Sequence, residues 1–272
     1  MPELPEVETT RKGLAPHLTG RTPTKAVVRQ TRLRWPVDAE ALNRWCGTPI
    51  TALQRRSKWL VLENATGFVL IHLGMSGSLR ILPADTLALK HDHIDLLLDD
   101  GRLLRYTDPR RFGAWLSGSG DWRQHPRLRN LGPEPLSDGF SPNHLAEHCL
   151  KSRRAIKTLI MDSRVVVGVG NIYANEALFL AGIHPARPAN SLEERDIIRL
   201  HEAIRAVLAR AIEAGGTTLQ DFTRPDGQPG YFAQKLHVYG REEHPCHTCG
   251  TAIERITLGQ RGTFFCPECQ PL

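Results

Sequence analysis

The chain has 272 residues, 40% apolar and 24% charged, enough to bury one large core or two modest ones, and its composition excludes a low-complexity or predominantly disordered protein. Its 35 Lys and Arg against 29 Asp and Glu give a net charge of +6 and a pI near 9.2, which favours a polyanionic partner. Of the basic residues 28 are Arg and seven are Lys; guanidinium forks suit phosphate and guanine, although an Arg-rich genome would give the same excess.

The first ten residues, MPELPEVETT, lack the basic region and apolar run of a secretory signal. The longest strong apolar runs, such as 68–73, are strand-sized, so a cytoplasmic chain without a membrane span is expected. Residues 5–18 predict an amphipathic helix: Pro5 suits the first turn, Glu6 and Glu8 complement the dipole, and Leu4, Val7, Leu14 and Leu18 form the apolar stripe. Between 25 and 117 the pattern changes to short apolar runs, among them 59–63, 68–73, 93–98 and 103–107, with Asp99-Asp100-Gly101 as a hairpin turn. Strands at this spacing predict a β-sandwich capped by the first helix.

Residues 132–139 are rich in Gly and Pro and read as a linker. Helical periods follow over 142–151, 154–162, 171–181 and 191–214, the last opening with a capping pattern from Ser191 to Glu194. Gly215-Gly216 ends it, and the polar 217–230 segment reads as a mobile loop.

Cys246-x2-Cys249 and Cys266-x2-Cys269, sixteen residues apart, have the spacing of a four-thiolate zinc site. Four thiolates close the tetrahedron, so one structural Zn2+ is expected. Strands at 254–258 and 263–265 around a Gly259-Gln260-Arg261-Gly262 turn would place Arg261 at a hairpin tip. Cys46 and Cys149 stand alone and read as small buried hydrophobes. Two Gly-rich turns, 72–77 and 108–113, carry Met75, Arg110 and Phe112. Either Met75 and Phe112 tuck into the core, or all three project as wedges into DNA from which a base has been extruded. Gly168-Val169-Gly170 before Asn171 could offer backbone N–H groups to a phosphate or simply pack closely, and the basic cluster 54–58 contains Lys58.

Pro2-Glu3-Leu4-Pro5-Glu6-Val7-Glu8-Thr9 resembles the N-terminal signature of the formamidopyrimidine-DNA glycosylase family. The likeness recurs in 54–58, HLGMSGSLR from His72, KHDHIDL from Lys90, RYTDPRRFGAW from Arg105, VVGVGNIYANE from Val166, GGTTLQDF from Gly215, GYFAQ from Gly230, and the cysteine quartet. It implies an α+β, two-domain protein. Residues 1–131 would be a catalytic β-sandwich domain with the Pro2 helix, 132–140 a linker, 141–236 a helical helix-two-turn-helix domain and 237–272 a four-cysteine zinc finger, with DNA between the domains. It also implies a monomer that acts on damaged double-stranded DNA. Removal of Met1 would expose the Pro2 amine as nucleophile; Glu3 would transfer protons at the sugar, Lys58 would serve β-elimination and Arg261 δ-elimination. His72, His91, Arg110, Arg154 and Asn171 would contact DNA, Met75, Arg110 and Phe112 would fill the vacated stack, and 217–230 would close over the extruded base.

The resemblance implies excision of oxidised purines, chiefly 8-oxoguanine and formamidopyrimidines, followed by strand cleavage. A sister family acting on oxidised pyrimidines shares the nucleophile but usually has Gly where this chain has Leu4. A non-catalytic zinc-ribbon DNA binder would need neither Pro2-Glu3 nor Lys58.

Overall fold

The computed structural model describes residues 2–215 and 236–272. The expectations about Met1 and about the 217–230 segment lie outside the described residues. Residues 2–129 form one compact unit; residues 130–213 and 236–272 form a second.

The first unit opens with α1 (Leu4–Leu18), whose Leu4, Val7, Leu14 and Leu18 are completely buried. Glu6 closes its first turn by accepting the Glu3 backbone N–H at 2.8 Å. Eight strands follow: β1 (Pro23–Val28), β2 (Ala52–Arg56), β3 (Trp59–Asn64), β4 (Gly67–His72), β5 (Ser78–Pro83), β6 (Asp92–Leu98), β7 (Arg102–Thr107) and β8 (Ala114–Gly118). They make two antiparallel four-stranded sheets, ordered β1-β6-β7-β5 and β2-β3-β4-β8. Leu60, Leu62, Val69 and Ile71 of one sheet share a core with Ile94, Leu96, Leu104 and Tyr106 of the other and with Val7 and Leu14 of α1. The expected sandwich is therefore built by apolar faces, each buried Leu or Ile contributing about 1.5–3 kcal/mol before chain entropy is subtracted. A second helix, α2 (Ala39–Trp45), is not foreshadowed in the sequence because seven residues are too few to show a period. Asp38 starts it by accepting the Ala41 N–H at 2.8 Å.

One buried charge shapes the approach to His91. Arg105 on β7 donates to Asp95 at 2.9 Å and to the carbonyls of Leu87 and Thr86 at 2.9 and 2.8 Å, pinning the β5–β6 connection. Burial works to raise the Asp95 carboxyl, but bonds from Arg105 and Arg29 outweigh it and hold the group below the usual carboxylate range.

The second unit contains α3 (Pro142–Leu150), α4 (Ile156–Ile160), α5 (Asn171–Ala181) and α6 (Glu194–Glu213), then the hairpin β9 (Glu254–Leu258) and β10 (Arg261–Phe265). Three details depart from the expected boundaries. Helix α6 starts at Glu194, because the Ser191 hydroxyl donates back to the Pro188 carbonyl at 2.8 Å and Asp196 instead accepts the Glu193 N–H. Helix α4 is short because Ala155 bridges Pro188, leaving Arg154 ahead of it. Arg261 is not at the hairpin tip: Gly259 and Gln260, at φ 55° and 60°, close a two-residue turn, and Arg261 pairs with Leu258 as the first residue of β10. Among the described residues no helix is long and apolar enough to cross a membrane.

Candidate active site and nucleic-acid interface

Pro2 and Glu3 are buried at the head of α1. One turn on, Glu8 accepts from Arg11 and from Arg55 Nε at 3.0 Å, while Arg55 Nη1 donates to the Ser57 carbonyl at 2.9 Å. Burial works to raise the Glu8 carboxyl, but Arg11 and Arg55 prevail and hold it lowered, so it stays an anion. That chain of contacts ties the Pro2 helix to the β2–β3 turn, where Ser57 takes φ 57° and Lys58 follows. Sequence alone marks Arg55 only as part of a basic cluster; its role emerges from Glu8, 47 residues away.

His72 ends β4 directly across from Trp59, with the rings edge to face at 4.8 Å. Its Nδ1 accepts the Gly74 N–H at 2.9 Å, which requires an unprotonated nitrogen. Burial, then the Lys58 and Arg34 charges, push its pKa down to about 4, against a weaker upward pull from Asp108. Neutral His72 can donate Nε2–H to a phosphate but displaces no counterion. We expect His72→Gln to weaken DNA binding without altering its salt slope, whereas Arg261→Gln, which removes a cation assigned to phosphate, lowers the slope by about one unit, as fluorescence anisotropy across a salt series would show. An imidazole titrating near 6.5 by NMR would contradict this. Because the folded pKa lies below the unfolded one, His72's contribution to stability is complete above about pH 6.5 and is lost as pH falls towards 4.

Met75 is half-buried in the turn after His72, whereas Phe112 is 46% exposed, so its ring is not part of the core. The Arg110 guanidinium lies 5.2 Å from the centre of that ring. His91 is half-buried, and its carbonyl accepts the Asp108 N–H at 3.0 Å. The first unit thus brings together His91, Arg110 and Phe112 around Asp108, a residue that sequence alone does not single out.

In the second unit, Asn171 opens α5 and donates Nδ2–H to the Gly262 carbonyl at 2.9 Å, next to exposed Arg261. Buried Lys157 donates to the same carbonyl at 3.1 Å and to Thr263 Oγ1 at 2.6 Å, and Asn175 accepts the Phe264 N–H at 2.9 Å. These contacts seat β10 on α4 and α5. Sequence reasoning misses Lys157 and Asn175; the available signal is a lysine amid the apolar face of Ile156, Leu159 and Ile160. It misses buried Glu176 as well, which accepts three consecutive N–H groups, from His237, Val238 and Tyr239, at 2.8–2.9 Å. Arg154 is exposed but engaged by Asp162 at 3.3 Å; Asp162 also holds Arg164, whose hydrogen bond chiefly lowers the carboxyl to about 2.

The sulfurs of Cys246, Cys249, Cys266 and Cys269 lie within 4.8 Å of one another, Cys249 and Cys266 at 3.4 Å and Cys246 and Cys269 at 3.9 Å. Zn–S bonds of about 2.3 Å in a tetrahedron place sulfurs about 3.8 Å apart, so the quartet fits one zinc ion. Thr248 and Cys269 N–H groups donate to Cys246 and Cys266 sulfurs at 3.4 Å, an orientation suited to stabilising thiolates. The zinc is structural, since four thiolates leave no open position. The lone thiols contrast with these: burial pushes Cys46 up to about 11 and Cys149 up to about 12, leaving both as inert thiols.

Comparison with known proteins accounts for this arrangement over nearly the whole chain. Residues 1–115 match the family model of the formamidopyrimidine-DNA glycosylase N-terminal domain, 131–223 its H2TH domain, and 243–272 a zinc finger found in FPG and IleRS. The formamidopyrimidine-DNA glycosylase of Cronobacter sakazakii is 57% identical over 270 residues, spanning 99% of this chain and 100% of that protein. The MutM (Fpg) structure from Thermus thermophilus aligns with a TM-score of 0.89 at 44% identity over 99% of this chain and 98% of that one. A Lactococcus lactis Fpg mutant in complex with Fapy-dG-containing DNA aligns at 0.93 and 35% identity over 100% of both chains. The chain belongs to the formamidopyrimidine-DNA glycosylase family.

Proposed function

We infer that this chain excises oxidised purines from duplex DNA and then cleaves the strand by successive β- and δ-elimination, with Pro2 as nucleophile. The observation that carries the residue assignment is the buried Pro2-Glu3 pair at the head of α1, tied through Glu8, Arg55 and Ser57 to the turn that presents Lys58. The Pro2 nitrogen lone pair attacks C1′, and the glycosidic bond breaks with its electrons leaving on the base. The departing base takes up a proton from solvent; Glu3 accepts the proton shed by the Pro2 nitrogen and passes it to O4′ as the C1′–O4′ bond opens, giving an iminium between Pro2 and C1′. A secondary amine makes that iminium cationic without protonation. It therefore draws in the electrons released when a base removes the C2′ proton, and the 3′ phosphate departs. A second proton loss, at C4′, expels the 5′ phosphate, and water releases the remaining sugar fragment from Pro2.

Proton transfer in the first elimination is assigned to the Lys58 amine, and neutralisation of phosphate charge in the second to Arg261. His72, His91, Arg110, Arg154 and Asn171 are assigned to the DNA backbone or the orphaned base, and Met75, Arg110 and Phe112 to the vacated stack. Residues 1–131, 141–236 and 237–272 serve as catalytic, helix-two-turn-helix and zinc-finger domains, and the protein works as a cytoplasmic monomer.

The test is a panel of duplexes containing 8-oxoguanine opposite cytosine, thymine glycol, or no lesion, each incubated with the protein and borohydride. A trapped adduct is expected first on 8-oxoguanine. Preference for thymine glycol would move the chain to the pyrimidine-directed sister family, and no adduct on any damaged duplex would remove the Schiff-base mechanism.

A further inference from the structure

Asp108 is completely buried, yet all its polar groups are engaged across three separate segments. Its Oδ1 accepts the Ser76 hydroxyl at 2.8 Å; its Oδ2 accepts the Tyr106 hydroxyl and the Gly113 N–H, both at 2.9 Å. Its carbonyl meets His93 Nε2 at 2.8 Å, and its own N–H reaches the His91 carbonyl. Ser76 closes the circuit, because its Oγ also accepts the Arg110 N–H at 3.2 Å. Above this polar centre the two turns touch backbone to backbone. A Cβ on Gly74, which has φ 65°, would lie 2.4 Å from the Phe112 carbonyl carbon, and one on Gly113 would lie 1.7 Å from the Tyr106 hydroxyl.

We propose that Asp108 is a positioning residue that brackets the Met75 turn and the Arg110–Phe112 turn into a single preformed wedge. The proposal rests on the assignment of those three side chains to the vacated base stack. A loop that must order itself on insertion spends binding free energy on that ordering; a bracketed pair of turns does not. Met75, Arg110 and Phe112 would then enter together, and the bracket would set how well the enzyme fills the void and reads the opposite base. An Asn at 108 has nearly the same shape but one acceptor oxygen: its NH2 either confronts the Gly113 N–H or turns to Ser76, whose hydroxyl must then reverse from donor to acceptor. Ser76→Ala is gentler: it severs the link to Arg110 while leaving the Tyr106 and Gly113 bonds in place.

The deciding quantity is the ratio of two single-turnover rates: excision from an 8-oxoguanine·cytosine duplex, and borohydride trapping on a single-stranded abasic oligonucleotide, which has no void to fill. We expect Asp108→Asn and Ser76→Ala to lower this ratio, Asp108→Asn by on the order of 10- to 100-fold and Ser76→Ala by less, as misplacement by about 1 Å does elsewhere. Arg110→Ala and Phe112→Ala are measured alongside. If these two lower the ratio while Asp108→Asn and Ser76→Ala do not, the bracket is refuted and the wedge assignment stands. If none of the four changes it, the wedge assignment itself fails. Should Asp108→Asn lose both activities in parallel, Ser76→Ala decides: a lowered ratio supports the bracket, an unchanged one overturns it.

Discussion

Capping the Pro2 amine, by a retained Met1 or an N-terminal tag, should lower base excision by at least about three orders of magnitude while affinity for the lesion duplex stays within about threefold. An amide nitrogen has no available lone pair, so neither attack at C1′ nor iminium formation can occur. A lysine is a poor substitute: its reference pKa of about 10.4, against about 8 for an α-amino group, leaves far less of it unprotonated at neutral pH. Placement adds to this intrinsic advantage. Glu6 fixes the Glu3 backbone, and the buried stripe of α1 anchors the helix, so a chain end that would ordinarily fray is held. Single-turnover excision with borohydride trapping makes the measurement. Undiminished activity in a capped protein would mean the nucleophile lies elsewhere.

Removing the zinc should weaken binding to lesion-containing duplex by about 10- to 100-fold, the worth of a lost charge-assisted contact from Arg261. The damage should also spread beyond the finger. Lys157 is 1% exposed and spends hydrogen bonds on Gly262 and Thr263; once the β9–β10 hairpin loosens, its ammonium loses those acceptors while still packed among Ile156, Leu159 and Ile160. Anisotropy titrations after metal loss has been verified by a zinc assay would read the first effect, and urea unfolding the second. Unchanged affinity in the metal-free protein would rule out the hairpin as a DNA contact.

The features legible in the sequence are those set by local chemistry. The cysteine quartet is defined by spacing, the first helix by its apolar stripe, and the Pro2-Glu3 pair by the residues that follow it. What stayed hidden depends on partners far apart in the chain. Asp108 gains its role from Ser76, 32 residues earlier, and Arg55 from Glu8; neither relation leaves a period or a motif. The start of α6 departs from the capping pattern for a different reason: Ser191 has the chemistry of a cap, but its hydroxyl is used by the preceding turn. Arg261 lies one step past the turn because Gln260, a non-glycine residue, adopts the left-handed conformation needed to close the shorter turn.

The seating of β10 on α4 and α5 bears on how separable the finger is. Its inner strand takes hydrogen bonds from Lys157 and Asn171 and gives one to Asn175, so those three side chains act towards it much as a neighbouring strand would. The zinc ribbon is thus completed by residues roughly a hundred positions upstream. A chimera that transplants only 237–272 into a relative would carry the metal site but inherit a foreign socket, and compatibility at 157, 171 and 175 would decide whether Arg261 arrives in working order.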